Sequence, residues 1–112
     1  MREKIHSYLG FSKRSRNLIS GYNSCIYAIK RRKIHLLILT ADLSENTKKK
    51  FLAVAESGNV QLRIYGTMEK MREMTGEIGR GIYGITDKNL AEAIKREIDK
   101  IDQYERNGKK EE

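Results

Sequence analysis

Asn23 carries a donor and an acceptor on one short amide, two residues after Gly21, where a helical periodicity begins. Such a side chain can read the edge of a nucleic-acid base. The same helix ends in Lys30-Arg31-Arg32-Lys33. Backbone N–H groups at a helix start, beside basic side chains, suit a phosphate backbone. A second candidate element is the glycine-rich stretch Gly76 to Gly81, which offers mobile backbone together with Ile78 and Arg80. A small apolar side chain such as Ile78 can pack on a base turned out of its stack. These are tools for irregular RNA, in which bases are splayed and grooves distorted.

The charge pattern agrees. The chain has 112 residues and a net charge of +8. Residues 1–33 contain nine Lys and Arg, among them Lys13, Arg14, Arg16, Lys30, Arg31, Arg32 and Lys33, against the single acid Glu3. Residues 51–112 are nearly balanced, with eleven basic and twelve acidic side chains. A local excess of this kind is the footprint of a polyanion partner. Lys48-Lys49-Lys50 is placed in the first turn of a later helix, where positive charge opposes the helix dipole; a solvated face is the commoner reading and a peripheral phosphate contact the other.

Other chemistries find less support. Cys25 is the sole cysteine, and with His6 and His35 it does not form a zinc pattern. Its place on an apolar helix face predicts a packed thiol. Gly79-Arg80-Gly81-Ile82-Tyr83-Gly84 spells G-x-G-x-x-G, but a helix precedes it and a strand follows, the reverse of a dinucleotide site. No nucleophile motif is present, and Glu56, Glu69, Glu73 and Glu77 read as surface or loop acids. The expectation is a protein without catalytic residues, cofactor or metal. No apolar run has the length of a membrane span, which predicts a cytoplasmic protein without membrane contact.

These residues need elements to hold them. Ile5, Tyr8 and Leu9 predict a first helix over about 2–14, and Asn17 to Ser20 a short strand. Tyr22, Cys25, Ile26 and Ile29 form the apolar stripe of a helix over about 22–32, leaving Asn23, Tyr27, Lys30 and Arg31 outward. Leu36-Leu37-Ile38-Leu39 is a strand buried on both faces. Ser44 caps a helix to about Glu56, with Phe51, Val54 and Ala55 inward, and Ser57-Gly58-Asn59 ends it. Val60 to Tyr65 is a third strand, with Leu62 and Ile64 alternating against Arg63 and Tyr65. Thr67 caps a short helix carrying Met68, Met71 and Met74, which fill core space. Gly81 to Thr86 is the last strand. Asp87 caps a helix with the stripe Leu90, Ile94, Ile98 and Ile101. Strands alternating with helices predict a three-layer α/β/α sandwich with a small mixed sheet of about four strands. One domain spans 1–104, and a polar, disordered tail spans 105–112.

With these residues in order, the chain resembles the kink-turn-binding ribosomal protein superfamily (the L-seven-Ae family), and within it the small bacterial YlxQ-like branch. The resemblance covers about residues 5 to 100. It rests on Leu9-Gly10-Phe11-Ser12-Lys13-Arg14, Leu18-Ile19-Ser20-Gly21, the stretch from Lys30 to Ser44, Asn46-Thr47-Lys48-Lys49, and Ile85-Thr86-Asp87. The resemblance implies a sandwich that binds sharply bent RNA internal loops containing sheared G·A pairs. The family signature at the start of the second helix is Gly-x-Asn-Glu-x-x-Lys. Gly21 and Asn23 match it, whereas Ser24 stands at the Glu position and Tyr27 at the Lys position. The family's second RNA element aligns with Glu77, Ile78, Gly79, Arg80 and Gly81. A glycine common in the family's fourth helix is Arg72 here.

The combined expectation is a ribosomal-type protein that binds structured RNA, such as ribosomal RNA, and is a monomer when free. Gly21 and Tyr22 bring backbone close, Asn23 and Ser24 read base edges, and Tyr27 stacks. The basic side chains neutralise phosphates, and Glu77 to Gly81 clasp the other side. The alternative from another class is a protein-interaction adaptor on the same fold, using the balanced C-terminal half.

Overall fold

The computed structural model describes the backbone of residues 2–111 and the side chains of residues 4–103. Five helices and four strands alternate: α1 (Arg2–Arg14), β1 (Leu18–Ser20), α2 (Tyr22–Lys30), β2 (Leu36–Leu39), α3 (Glu45–Ser57), β3 (Gln61–Ile64), α4 (Met68–Thr75), β4 (Ile82–Ile85) and α5 (Lys88–Glu111). The strands form one sheet in the order β1-β4-β2-β3. β2 and β3 are parallel, and β4 runs antiparallel to both β1 and β2. The sheet is therefore mixed, and the molecule is the expected α/β/α sandwich.

Two apolar clusters cover the two faces of the sheet. On one face Ile5 and Leu9 of α1, Met71 and Met74 of α4, and Ala91, Ile94 and Ile98 of α5 pack on Leu36, Ile38, Tyr83 and Ile85. On the other, Cys25, Ala28 and Ile29 of α2 and Phe51 and Ala55 of α3 pack on Leu37, Leu39 and Ile82. The alternation within β2 divides a continuous apolar run between the two cores, which is why all four of its residues are buried. β3 lies at the edge, so Ile64 is exposed despite its apolar character. Two glycines of the G-x-G-x-x-G stretch serve packing. A Cβ on Gly81 would lie 2.7 Å from Leu43 and Thr40, and one on Gly84 would lie 2.3 Å from Ile34.

The strand register defines two ends of the sheet. Ser20, Leu39 and Ile82 stand at one end, and Leu18, Leu36 and Ile85 at the other. The turn Gly21-Tyr22 and the loop Gly76 to Gly81 therefore share the first end. The second collects the C-termini of α1, α2 and α3.

Several boundaries differ from the sequence reading. Helix α2 stops at Lys30, so Arg31, Arg32 and Lys33 lie in the turn beyond it. Helix α3 starts at Glu45, which puts only Lys48 in the first turn, where it donates to the Ala41 carbonyl at 2.7 Å and pairs with Glu45. Tyr22 is half-exposed; it meets Phe51 edge-on, with ring centroids 5.0 Å apart. Ala28, absent from the predicted stripe, is buried in its stead. The helical backbone of α5 is assigned through Glu111, past the start of the expected tail, and the tail's side chains lie outside the described residues.

Candidate nucleic-acid interface

Gly21 ends β1 and caps α2 in one residue. Its N–H donates to the Ile82 carbonyl at 2.9 Å, and its carbonyl accepts the first helical bond, from Cys25 at 3.1 Å. Its φ of 104° and ψ of 158° lie in a region open in practice to glycine alone. Gly21 has no side chain to cap α2, and no acid occupies the helix's first turn. The first N–H groups and the positive end of the dipole therefore face outward uncompensated.

The loop between α4 and β4 lies directly over this turn. A Cβ on Gly21 would lie 2.8 Å from a terminal nitrogen of the Arg80 guanidinium. Among the described residues Arg80 has no ion pair. A cation beside a helix N-terminus is unfavourable by itself, and an anion held between the two relieves both. Ile78 stands at the loop tip with 77% of its surface exposed.

The loop is anchored at both roots. Ser20 donates to one Glu77 carboxylate oxygen at 2.8 Å, Lys13 forms an ion pair with the other, and the Glu77 N–H donates to Thr75 Oγ1 at 3.2 Å. At the other root, the buried Tyr83 donates its hydroxyl to the Arg80 carbonyl at 3.0 Å. Glu77 is therefore not the ordinary loop acid its position suggested. Its carboxylate positions the loop, and Lys13 is engaged within the protein. Sequence reasoning missed this because Ser20 and Glu77 are 57 residues apart.

Asn23, Ser24 and Tyr27 lie on the exposed side of α2. The Arg31 guanidinium donates to the Tyr27 hydroxyl at 3.0 Å and sits 5.3 Å from its ring centroid. Cys25 points the other way. Burial pushes its thiol up to about 12, which leaves it protonated and inert. Thus Gly21, Tyr22, Asn23, Ser24, Ile78, Gly79, Arg80 and Gly81 come together at one end of the sheet.

The basic side chains do not all join them. Helix α2 has nine residues and spans about 13 Å, so Arg31, Arg32 and Lys33 lie a full helix length from Gly21. Arg16 follows α1 at that same far end. Arg14 is exposed in the last turn of α1, and its guanidinium lies over Gly10. The idea of one basic patch beside the helix start is corrected accordingly. The sequence places cations next to Gly21 in order, but the helix separates them in space.

Among the described residues no group of three or more His, Cys, Asp or Glu is placed to hold a metal ion, and no helix is long and apolar enough to cross a membrane.

Comparisons with known proteins give a consistent picture. Residues 3–92 match the model of the ribosomal protein L7Ae/L30e/S12e/Gadd45 family. The chain is 29% identical over 98 residues to a protein of Enterococcus faecium named RNA-binding protein YlxQ, an alignment covering 88% of this chain and 94% of that one. A solved structure from Bacillus halodurans, described as a protein with unknown function, superposes with a TM-score of 0.82 at 27% identity, covering 86% of this chain and 97% of its own.

Proposed function

Because the chain belongs to the ribosomal protein L7Ae/L30e/S12e/Gadd45 family, we propose that it binds structured RNA at a kinked internal loop of kink-turn type, without catalysis. The observation that carries this reading is the Arg80 guanidinium over the uncapped start of α2. Uncapped backbone N–H groups and a cation lie side by side there, next to Asn23 and Ser24, and an anion between them would be held by both. The name of the Enterococcus faecium relative supports RNA as the ligand.

In this reading a phosphate or a base edge lies against the N–H groups of α2. The Asn23 amide and the Ser24 hydroxyl bond to base edges. Ser24 is shorter and neutral where the resembled signature has Glu, so it supplies a donor or an acceptor without charge. Tyr27 offers a ring for stacking, with Arg31 holding it from behind. Ile78 covers an unstacked base from the loop side, and Glu77 fixes the loop at the height this requires. The partner that fits is ribosomal or another structured RNA of the translation machinery, in the cytoplasm.

The test is a titration against a labelled kink-turn RNA and a control whose G·A pairs are replaced by Watson–Crick pairs. Markedly tighter, salt-sensitive binding to the kinked RNA is expected. Equal affinity for both would leave a basic RNA binder without loop selectivity. Binding to neither would favour the protein-adaptor alternative.

A further inference from the structure

A groove of about 840 Å³ opens at the far end of α2, away from the Gly21 turn. Its walls are the last turn of α2, the segment leading into β2, and α3 with the turn after it. Ile34, Val54 and Val60 supply apolar lining, while Lys30, Arg32 and Lys50 contribute the charge. No carboxylate is among its lining residues, and among the described residues none of these three cations is in an ion pair. Lys30 lies where a helix dipole favours a cation, but Lys50 lies in the middle of α3, where the dipole asks for none.

Backbone geometry gives an independent reason to look here. Helix α2 closes with a Schellman motif: the Arg32 N–H donates to the Ile29 carbonyl and the Lys33 N–H to the Ala28 carbonyl, each at 2.9 Å. The motif requires a left-handed residue, and Arg32 fills that position with φ of 59°. Glycine is the usual occupant because any Cβ is disfavoured there. An exposed arginine without an ion pair thus holds a place where it weakens the fold. The backbone conformation therefore does not explain why an arginine stands here.

We propose that this groove is a second RNA contact, taking the phosphodiester backbone of a stem that flanks the loop bound at Gly21. The inference rests on the RNA-binding reading above. The two sites are separated by the length of α2, about 13 Å, which an A-form RNA stem covers in about five base pairs. The apolar lining accepts ribose faces between the phosphates, while Lys30, Arg32 and Lys50 neutralise charge without reading sequence.

The test compares Arg32→Gly and Lys50→Glu with the unaltered protein on two RNAs. Both RNAs carry the same internal loop, with stems of about three or about twelve base pairs. Arg32→Gly is expected to raise Tm by about 2–5 °C and yet weaken binding to the long-stemmed RNA. For each charge removed, the slope of log affinity against log salt falls by about one. Affinity for the short-stemmed RNA stays unchanged. RNA should also protect Lys50 from acetylation only when the stem is long. Long-stem affinity equal to that of the unaltered protein in both variants would overturn the groove proposal and leave the loop reading intact. The opposite separation is also readable. If the unaltered protein does not prefer kinked RNA but both variants still lose long-stem affinity, the loop reading fails and the groove stands.

Discussion

The two ends of helix α2 solve opposite problems. At its start, Gly21 adopts a conformation that only glycine tolerates, and the neighbouring polar groups are mostly engaged: Ser20 and Lys13 hold Glu77, and Tyr83 holds the Arg80 carbonyl. Arg80 and the first-turn N–H groups are what remains available. At its end, Arg32 occupies a position that suits glycine, and neither it nor Lys30 or Lys50 beside it in the groove is in an ion pair among the described residues. One end is a rigid, shaped site with little free charge. The other is a wide groove lined with free charge. The first suits recognition of a particular RNA conformation, and the second suits contact with any phosphate backbone.

Substitutions can break that contrast. The largest effect is expected for Gly21→Ala, which forces a disfavoured conformation and drives a Cβ into Arg80. It should lose about 1–3 kcal/mol of stability, read by urea denaturation, and lose kinked-RNA binding as well. Asn23→Ala should leave Tm alone and reduce binding to the preferred RNA by about 1–3 kcal/mol, with a smaller effect on the Watson–Crick control. An equal loss on both RNAs would show that Asn23 does not read the loop. Glu77→Gln keeps an acceptor for Ser20 but removes the ion pair with Lys13. It should lose at most about 1 kcal/mol of stability and weaken kinked RNA more than straight, because the loop it positions is loosened.

The smallest effect is expected away from both ends, where Arg63 of edge strand β3 pairs with Asp99 of α5 at 2.8 Å. The hydrogen bond from Arg63 holds the Asp99 carboxyl below its ordinary value. The contribution of this pair is therefore present above the unfolded carboxylate pKa, about 3.9, and disappears as pH falls through the lower folded value. Both groups are substantially exposed, so screening limits it to less than about 1 kcal/mol. Asp99→Asn should lose that amount at pH 7, nothing near pH 2, and no RNA affinity. A gain in RNA affinity, which the lost negative charge would give if charge anywhere on the surface mattered, would dissolve the contrast between the two ends.

Much of the architecture was legible in the sequence because local signals coincide with global ones. The caps at Ser44 and Thr67 form as expected, each accepting from the backbone N–H three residues on. The four-residue apolar run at Leu36 forms the buried central strand it predicts. Ile64 did not follow its pattern, because alternation identifies a strand's faces but not whether the strand lies at an edge. Glu77 was misread for a related reason. A carboxylate's role depends on its neighbours, and these came from α1 and β1 rather than from its own loop.

The sequence by itself determined the helices and strands, the charge excess in the first third of the chain, and the pairing of Gly21 with Asn23 at a helix start. Each of these is set by residues within a few positions of one another, through periodicity, capping and backbone preference. Only the tertiary structure decided that Arg80 lies over Gly21, that Glu77 ties its loop to Ser20 and Lys13, and that the basic run stands about 13 Å from the turn it follows in sequence. Those facts follow from the antiparallel pairing of β4 with β1 and from the rise of α2, which bring distant residues together and carry near ones apart.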